Sequence, residues 1–254
     1  MKWRWSVSPT LLVAAVLLLA TGCTNAIDGA AHPAPGLKPN PLLGEVIKQV
    51  LLDGTALSSM LNQPFKSDAN LPPRFGGPEK LQPGLGDMSP PECAGVTTMT
   101  LRSTYENAPV KNLARETWWA AGTSGRVINV AEAVVAMPSV AEAATWFAKF
   151  SEQWKKCNGT TVTISGGQFN YSDEISNVRV ENSVAAATVY VQAAGASGGR
   201  RPEAHAIGLR ANCLIEVEVT FFSVQRASDP GTADLNTSAI DITRTMMDKV
   251  SSRS

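Results

Sequence analysis

Few side chains in this chain of 254 residues are suited to chemistry, and the ones present set narrow limits. There are 2 histidines. His32 lies in a Pro-rich stretch near the N-terminus, so a Ser-His-Asp or Cys-His site would have to use His205. Gly122-Thr123-Ser124-Gly125 breaks the G-x-S-x-G spacing, and Gly195-Ala196-Ser197-Gly198-Gly199, which keeps it, lies in the stretch 195–202 that reads as a turn. Metal signatures are missing as well: there is no C-x-x-C, no histidine pair and no Asp-rich loop. No Gly-rich loop joins a strand to a helix as a phosphate cradle would. The expectation is a protein with no catalytic residue, no metal and no cofactor. Its rival is a hydrolase that uses His205.

Binding is better represented. Trp118, Trp119, Trp146 and Tyr190 could line an apolar cleft, with Arg115 or Arg126 fixing a polar group of the ligand. Trp118, Trp119, Arg126 and Tyr190 are the candidate ligand-binding residues. The competing reading makes Trp154 and one of the Trp118/Trp119 pair ordinary core. Cys157 follows Lys155-Lys156, which would lower the pKa of a free thiol. A structural disulfide is the alternative use of that sulfur.

The leading segment is read as an address. Lys2 and Arg4 precede the apolar run Leu11 to Ala20, which is too short for a comfortable membrane span. Thr21-Gly22-Cys23 follows with small residues leading into a cysteine, the pattern of a bacterial lipobox. Residues 1–22 are therefore expected to be a lipoprotein signal peptide, with Cys23 lipidated and holding the chain on the outer face of the cytoplasmic membrane. Residues 23–41 include Pro33, Pro35, Pro39 and Pro41 and read as a tether. Residues 42–254 form the domain.

Composition agrees with a folded domain: 44% hydrophobic and 17% charged residues argue against a disordered chain. Lys and Arg number 22 against 22 Asp and Glu, and two of the basic residues lie in the leading segment, so a nucleic-acid partner is excluded. Beyond Cys23 the cysteines are Cys93, Cys157 and Cys213. An odd number outside the cytoplasm implies one disulfide and one leftover thiol, with three pairings open.

The elements that would position these residues follow from periodicity. Ser139 and Glu142 make a capping box. Val140, Ala143, Phe147, Phe150 and Trp154 then form one apolar stripe on a helix that Cys157 closes and Asn158-Gly159 stops. Val46, Ile47, Val50 and Leu51 predict an early helix, and Asp53 can cap a second one from Thr55 to Asn62. Pro64 to Pro91 reads as a long loop. Strands are predicted at 96–102, 116–120, 126–137, 160–165, 174–180, 184–192 and 213–221. In the last, Cys213, Ile215, Val217, Val219 and Phe221 alternate with Glu216, Glu218 and Thr220. A final helix carries Leu235, Ala239, Ile242, Met246 and Val250 on one stripe. The sum is an α+β fold: a curved antiparallel sheet with helices packed on one face.

Several of these pieces together resemble the PknH-like extracellular domain family of mycobacteria, which contains the outer sensor domain of a receptor serine/threonine kinase and many stand-alone lipoproteins. The resembling residues are Leu51-Leu52-Asp53, Pro91-Glu92-Cys93-Ala94-Gly95, Thr117-Trp118, Val130 to Val135, Gln153 to Gly159, and Asn212 to Val217. The resemblance implies an α+β domain with a cleft for a ligand, and a disulfide between Cys93 and Cys157. It also implies a second disulfide near the end of the chain, whose two cysteines are absent here, leaving Cys213 as a buried hydrophobe. The function expected is a lipid-anchored envelope protein with a non-catalytic, ligand-binding sensor domain. An envelope glycolipid or cell-wall fragment is the expected partner class. A structural lipoprotein that docks a protein partner is a further alternative.

Overall fold

The computed structural model describes residues 40–254 apart from 123, 168–169, 196–198 and 227. Cys23 and all of the tether except Asn40 and Pro41 lie outside the described residues. An open ten-stranded sheet dominates, with strand order β1-β4-β5-β10-β9-β8-β7-β6-β3 and β2 beside β4. Every strand pair is antiparallel. The long strands are β4 (Asn112–Ala120), β5 (Val127–Ala136), β7 (Tyr171–Glu181), β8 (Val184–Ala193), β9 (Arg201–Arg210) and β10 (Cys213–Phe221). The short ones are β1 (Phe65–Ser67), β2 (Arg74–Gly76), β3 (Asp87–Ser89) and β6 (Thr161–Ser165). The helices are α1 (Gly54–Leu61), α2 (Ala94–Thr97), α3 (Val140–Cys157) and α4 (Ser238–Ser251).

The α+β class and the antiparallel sheet are as expected, and the helices divide between the two faces. On β10, Cys213, Ile215, Val217, Val219 and Phe221 pack with Ala239, Ile242, Met246 and Val250 of α4 and with Ile47 and Leu57. Leu214 of the same strand and Ile207 of β9 pack instead with Phe147, Phe150 and Trp154 of α3. Alternate residues of one strand thus feed two separate cores, as a period of two requires when both faces are covered. At Gly208 the fit is close enough to exclude a side chain. A Cβ there would lie 2.6 Å from Thr243 and 2.8 Å from Met247 of α4.

Helix α3 begins as its sequence predicts, with the Ser139 hydroxyl accepting the Glu142 N–H at 3.2 Å. It ends at Asn158 and Gly159, the latter at φ 82°. Its buried stripe is shifted from the expected one. Val140 is 39% exposed, whereas Trp146 is buried against Phe150 with ring centroids 5.6 Å apart. Trp146 therefore belongs to the core and not to a cleft. Cys157 pairs with Cys93 across 64 residues of chain. Closing such a loop contributes about 4 kcal/mol in the chain-entropy view. Cys213 is a free thiol with no exposure, and burial pushes its pKa up to about 12.

Two stretches differ from expectation. The Pro-rich stretch 64–91 is not one long loop: it contributes β1, β2 and β3, three residues each, to the sheet margins. Strands this short carry no readable alternation. Residues 96–102 do not form a strand. Thr97 ends α2, and the chain then turns inward to bury Met99 and Leu101, with an isolated Gln82–Leu101 bridge in place of a strand ladder.

Candidate functional site

On the sheet face that α3 covers, the apolar surface gives way to charge. Strand alternation sends Glu203, His205 and Ile207 of β9 to this face, and Leu214, Glu216 and Glu218 of β10 beside them. His205 stands directly opposite Glu218 in the register, and Glu203 opposite Thr220. Asp173 comes from β7, across Val191 of β8. Arg115 comes from β4 on the far side of β5. The segment 82–100 closes over them, held by the Gln82 side chain, which donates to the Met99 carbonyl at 2.9 Å.

Together these residues wall a cavity of about 210 Å³, lined by Arg115, Asp173, Arg201, Glu203, Glu218 and the threonines 97 and 98 among others. The volume is below the ~300–1,000 Å³ usual for drug-sized ligands. It suits a sugar ring or an amine rather than an acyl chain.

The polar groups are unevenly satisfied. Glu216 is complete: it accepts the Thr100 N–H at 2.8 Å and the Tyr105 hydroxyl. Glu203 accepts from the Arg201 guanidinium at 3.2 Å through Oε1 and meets His205 Nε2 at 3.2 Å through Oε2. Asp173 is different. It is 3% exposed, and its Oδ1 is buried without a hydrogen-bond partner. Arg115 Nε is likewise buried without a partner. Orphan buried groups are rare because each costs free energy, so two of them on one cavity wall mark a place where something polar can be received.

Charge crowding shows in the acidities. Burial raises the Asp173 carboxyl to about 7, and the neighbouring Glu203 charge adds to the rise. Burial also raises Glu218, again with Glu203 contributing. For His205, burial alone would lower the pKa. The Glu203 hydrogen bond and the Glu218 charge outweigh it and leave the imidazole above its ordinary value.

The aromatic residues singled out from the sequence are not gathered here. Trp118 packs over the start of α1, where a Cβ on Gly54 would lie 2.8 Å from its ring. Trp119 is half-buried opposite Lys66 of the marginal strand β1. Arg126 precedes β5, and its backbone N–H donates to the Gln63 side chain at 2.9 Å. Tyr190 lies under the Arg200 guanidinium, 4.9 Å from ring centroid to carbon. Four strand spacings separate Tyr190 on β8 from the tryptophans on β4, about 19 Å. None of the four residues lines the cavity.

Sequence reasoning missed Asp173, Glu203 and Glu218. The available signal was the pairing of two alternations, Glu203-x-His205 and Glu216-x-Glu218, on strands joined by a tight turn. Drawing that hairpin brings His205 and Glu218 side by side.

Among solved structures, the extracellular domain of PknH from Mycobacterium tuberculosis matches with a TM-score of 0.69 at 18% identity, covering 84% of this chain and 99% of that one. An uncharacterised protein from Mycobacterium smegmatis matches with a TM-score of 0.38 at 12% identity, covering 82% of this chain and 96% of that one. The first likeness shows a shared fold. No curated protein matches the sequence. A family profile described as the PknH-like extracellular domain matches residues 43–249. That span takes in every strand and nearly all of α4, and so the chain belongs to the PknH-like extracellular domain family.

Proposed function

We propose that this chain is a lipid-anchored protein of the cell envelope whose extracellular domain binds a small polar ligand without transforming it. The ligand class is the sugar or amine portion of an envelope glycolipid or cell-wall fragment. Membership of an extracellular-domain family supports the location. The observation that carries the binding reading is Asp173, a carboxylate with a buried, unpartnered oxygen on the wall of a cavity. A hydroxyl or ammonium group on the ligand would satisfy it. The hydrolase reading gains no support, since His205 is 3% exposed and no serine or cysteine is among the described residues that line the cavity.

The anchor completes the proposal: Cys23 carries lipid, residues 1–22 are removed, and residues 23–41 span from membrane to domain. The test is thermal stabilisation of the full chain by fractionated envelope saccharides and peptides, with chelator present. We expect a fraction that raises the melting temperature of the wild type and not that of Asp173→Asn. A broad panel that shifts neither protein overturns the binding reading.

A further inference from the structure

We propose that Glu203, His205 and Glu218 form a binding site for a divalent first-row transition cation such as Zn²⁺ or Mn²⁺. The inference goes beyond the ligand reading above and stands whether or not the cavity receives an envelope molecule. One donor atom from each of the three side chains lies within 4.8 Å of the other two. An imidazole with two carboxylates is a mixed nitrogen and oxygen set that suits such ions. The three are carried by adjacent strands deep in the sheet order, where backbone pairing on both sides fixes their direction.

A second observation points the same way. The Asp173 side chain comes from a third strand, is 97% buried by its 3% exposure, and presents an unpartnered oxygen on the same cavity wall as Glu203 and Glu218. It lies outside the group of three that share 4.8 Å, and offers a further carboxylate oxygen on the cavity wall beside them. The cavity supplies a way in, and Glu218 is only partly buried. On binding, the cation takes the place of the proton held between Glu203 Oε2 and His205 Nε2, while Arg201 keeps its bond to Glu203 Oε1. The guanidinium groups of Arg115 and Arg201 face the same cavity and oppose the ion, so three carboxylates are needed to hold it.

Calorimetric titration of the chelator-stripped full chain with ZnCl₂ or MnCl₂ tests this, with no envelope material present. One ion per chain is expected. His205→Ala should weaken binding by more than about 100-fold, the upper range for losing even an outer-shell partner. Glu218→Gln and Asp173→Asn should weaken it by at least about tenfold. Should His205→Ala fail to fold by circular dichroism, Glu218→Gln decides, because that side chain is the least buried of the three. Absence of saturable binding in the wild type overturns the proposal, as does binding that both Glu218→Gln and Asp173→Asn leave unchanged. A ligand-panel failure with intact ion binding would sink only the envelope-ligand reading, and the converse result only this one.

Discussion

Glu132 stands at the centre of the sheet with no exposure, its Oε1 accepting the Leu52 N–H at 2.9 Å. Burial raises its pKa to about 8, with the Leu52 bond and the Lys249 charge pulling the other way. The folded chain therefore holds a proton that the unfolded chain releases near the ordinary value of 4.5. Stability falls as pH rises from the unfolded value to the folded one, and at pH 7 the cost is about 3 kcal/mol. Glu132→Gln keeps the acceptor for Leu52 and removes the charge. It should be more stable than the wild type by roughly 3–4 kcal/mol in urea at pH 7.5, and nearly equal to it near pH 4.5. A pH-independent difference would place the cause in packing. Asp173 shares the raised direction, so only the comparison of these two proteins isolates Glu132.

At the scale of elements, α3 and the β9–β10 hairpin do most to shape the α3 side of the sheet. Phe150 is 2% exposed and meets Tyr105 edge-on with centroids 5.1 Å apart. Phe150→Ala or Trp154→Ala should cost about 3–5 kcal/mol by denaturant unfolding. A loss under ~1 kcal/mol would mean the stripe is not core. The hairpin between β7 and β8 turns through Asn182 at φ 50° and Ser183 at φ 61°. Both angles are left-handed, as a tight turn matching strand twist demands. These elements also explain what was legible beforehand. Ser139, the stripe from Ala143 to Trp154 and the alternation of β10 are local patterns with a definite period, and each produced the element it announced. The cavity is non-local: Asp173, Glu203 and Glu218 lie on three strands, and nothing in any one strand tells a buried glutamate from a solvated one. The aromatic residues were misleading for a related reason. Tryptophan is large enough to be core wherever it falls, as Trp146 shows. The 3-residue margin strands, β1 to β3, are set by their neighbours rather than by their own residues.

For the molecule as a whole, short margins matter. A sheet of ten strands presents two margins, and here β1 and β2 lie at one and β3 at the other, each of 3 residues. Outermost strands this short limit strand addition by another copy. The described residues contain no helix long and apolar enough to cross a membrane. Retention at the membrane in the proposed reading then depends on Cys23. Cys23→Ala should move the protein from the membrane to the soluble fraction on cell fractionation and abolish incorporation of a clickable palmitate analogue. Continued membrane retention of the unlabelled variant would overturn the anchor.

Asn212 gives the fold a mechanical property. Its side chain is fully buried, accepts the Leu42 N–H at 2.7 Å and donates to the carbonyls of Leu42 at 2.9 Å and Met137 at 2.7 Å. It sits in the turn between β9 and β10. Leu42 is the first buried residue of the described chain. Tension applied through the residues before it is thus carried first by one amide clasp on the central hairpin. While that clasp holds, the segment from Leu42 to Leu52 bears no load. Once it opens, the pull reaches the bond from the Gly44 N–H to Asn112 Oδ1 and then the Leu52–Glu132 bond, so the N-terminal segment peels from the sheet stepwise while the strands stay paired.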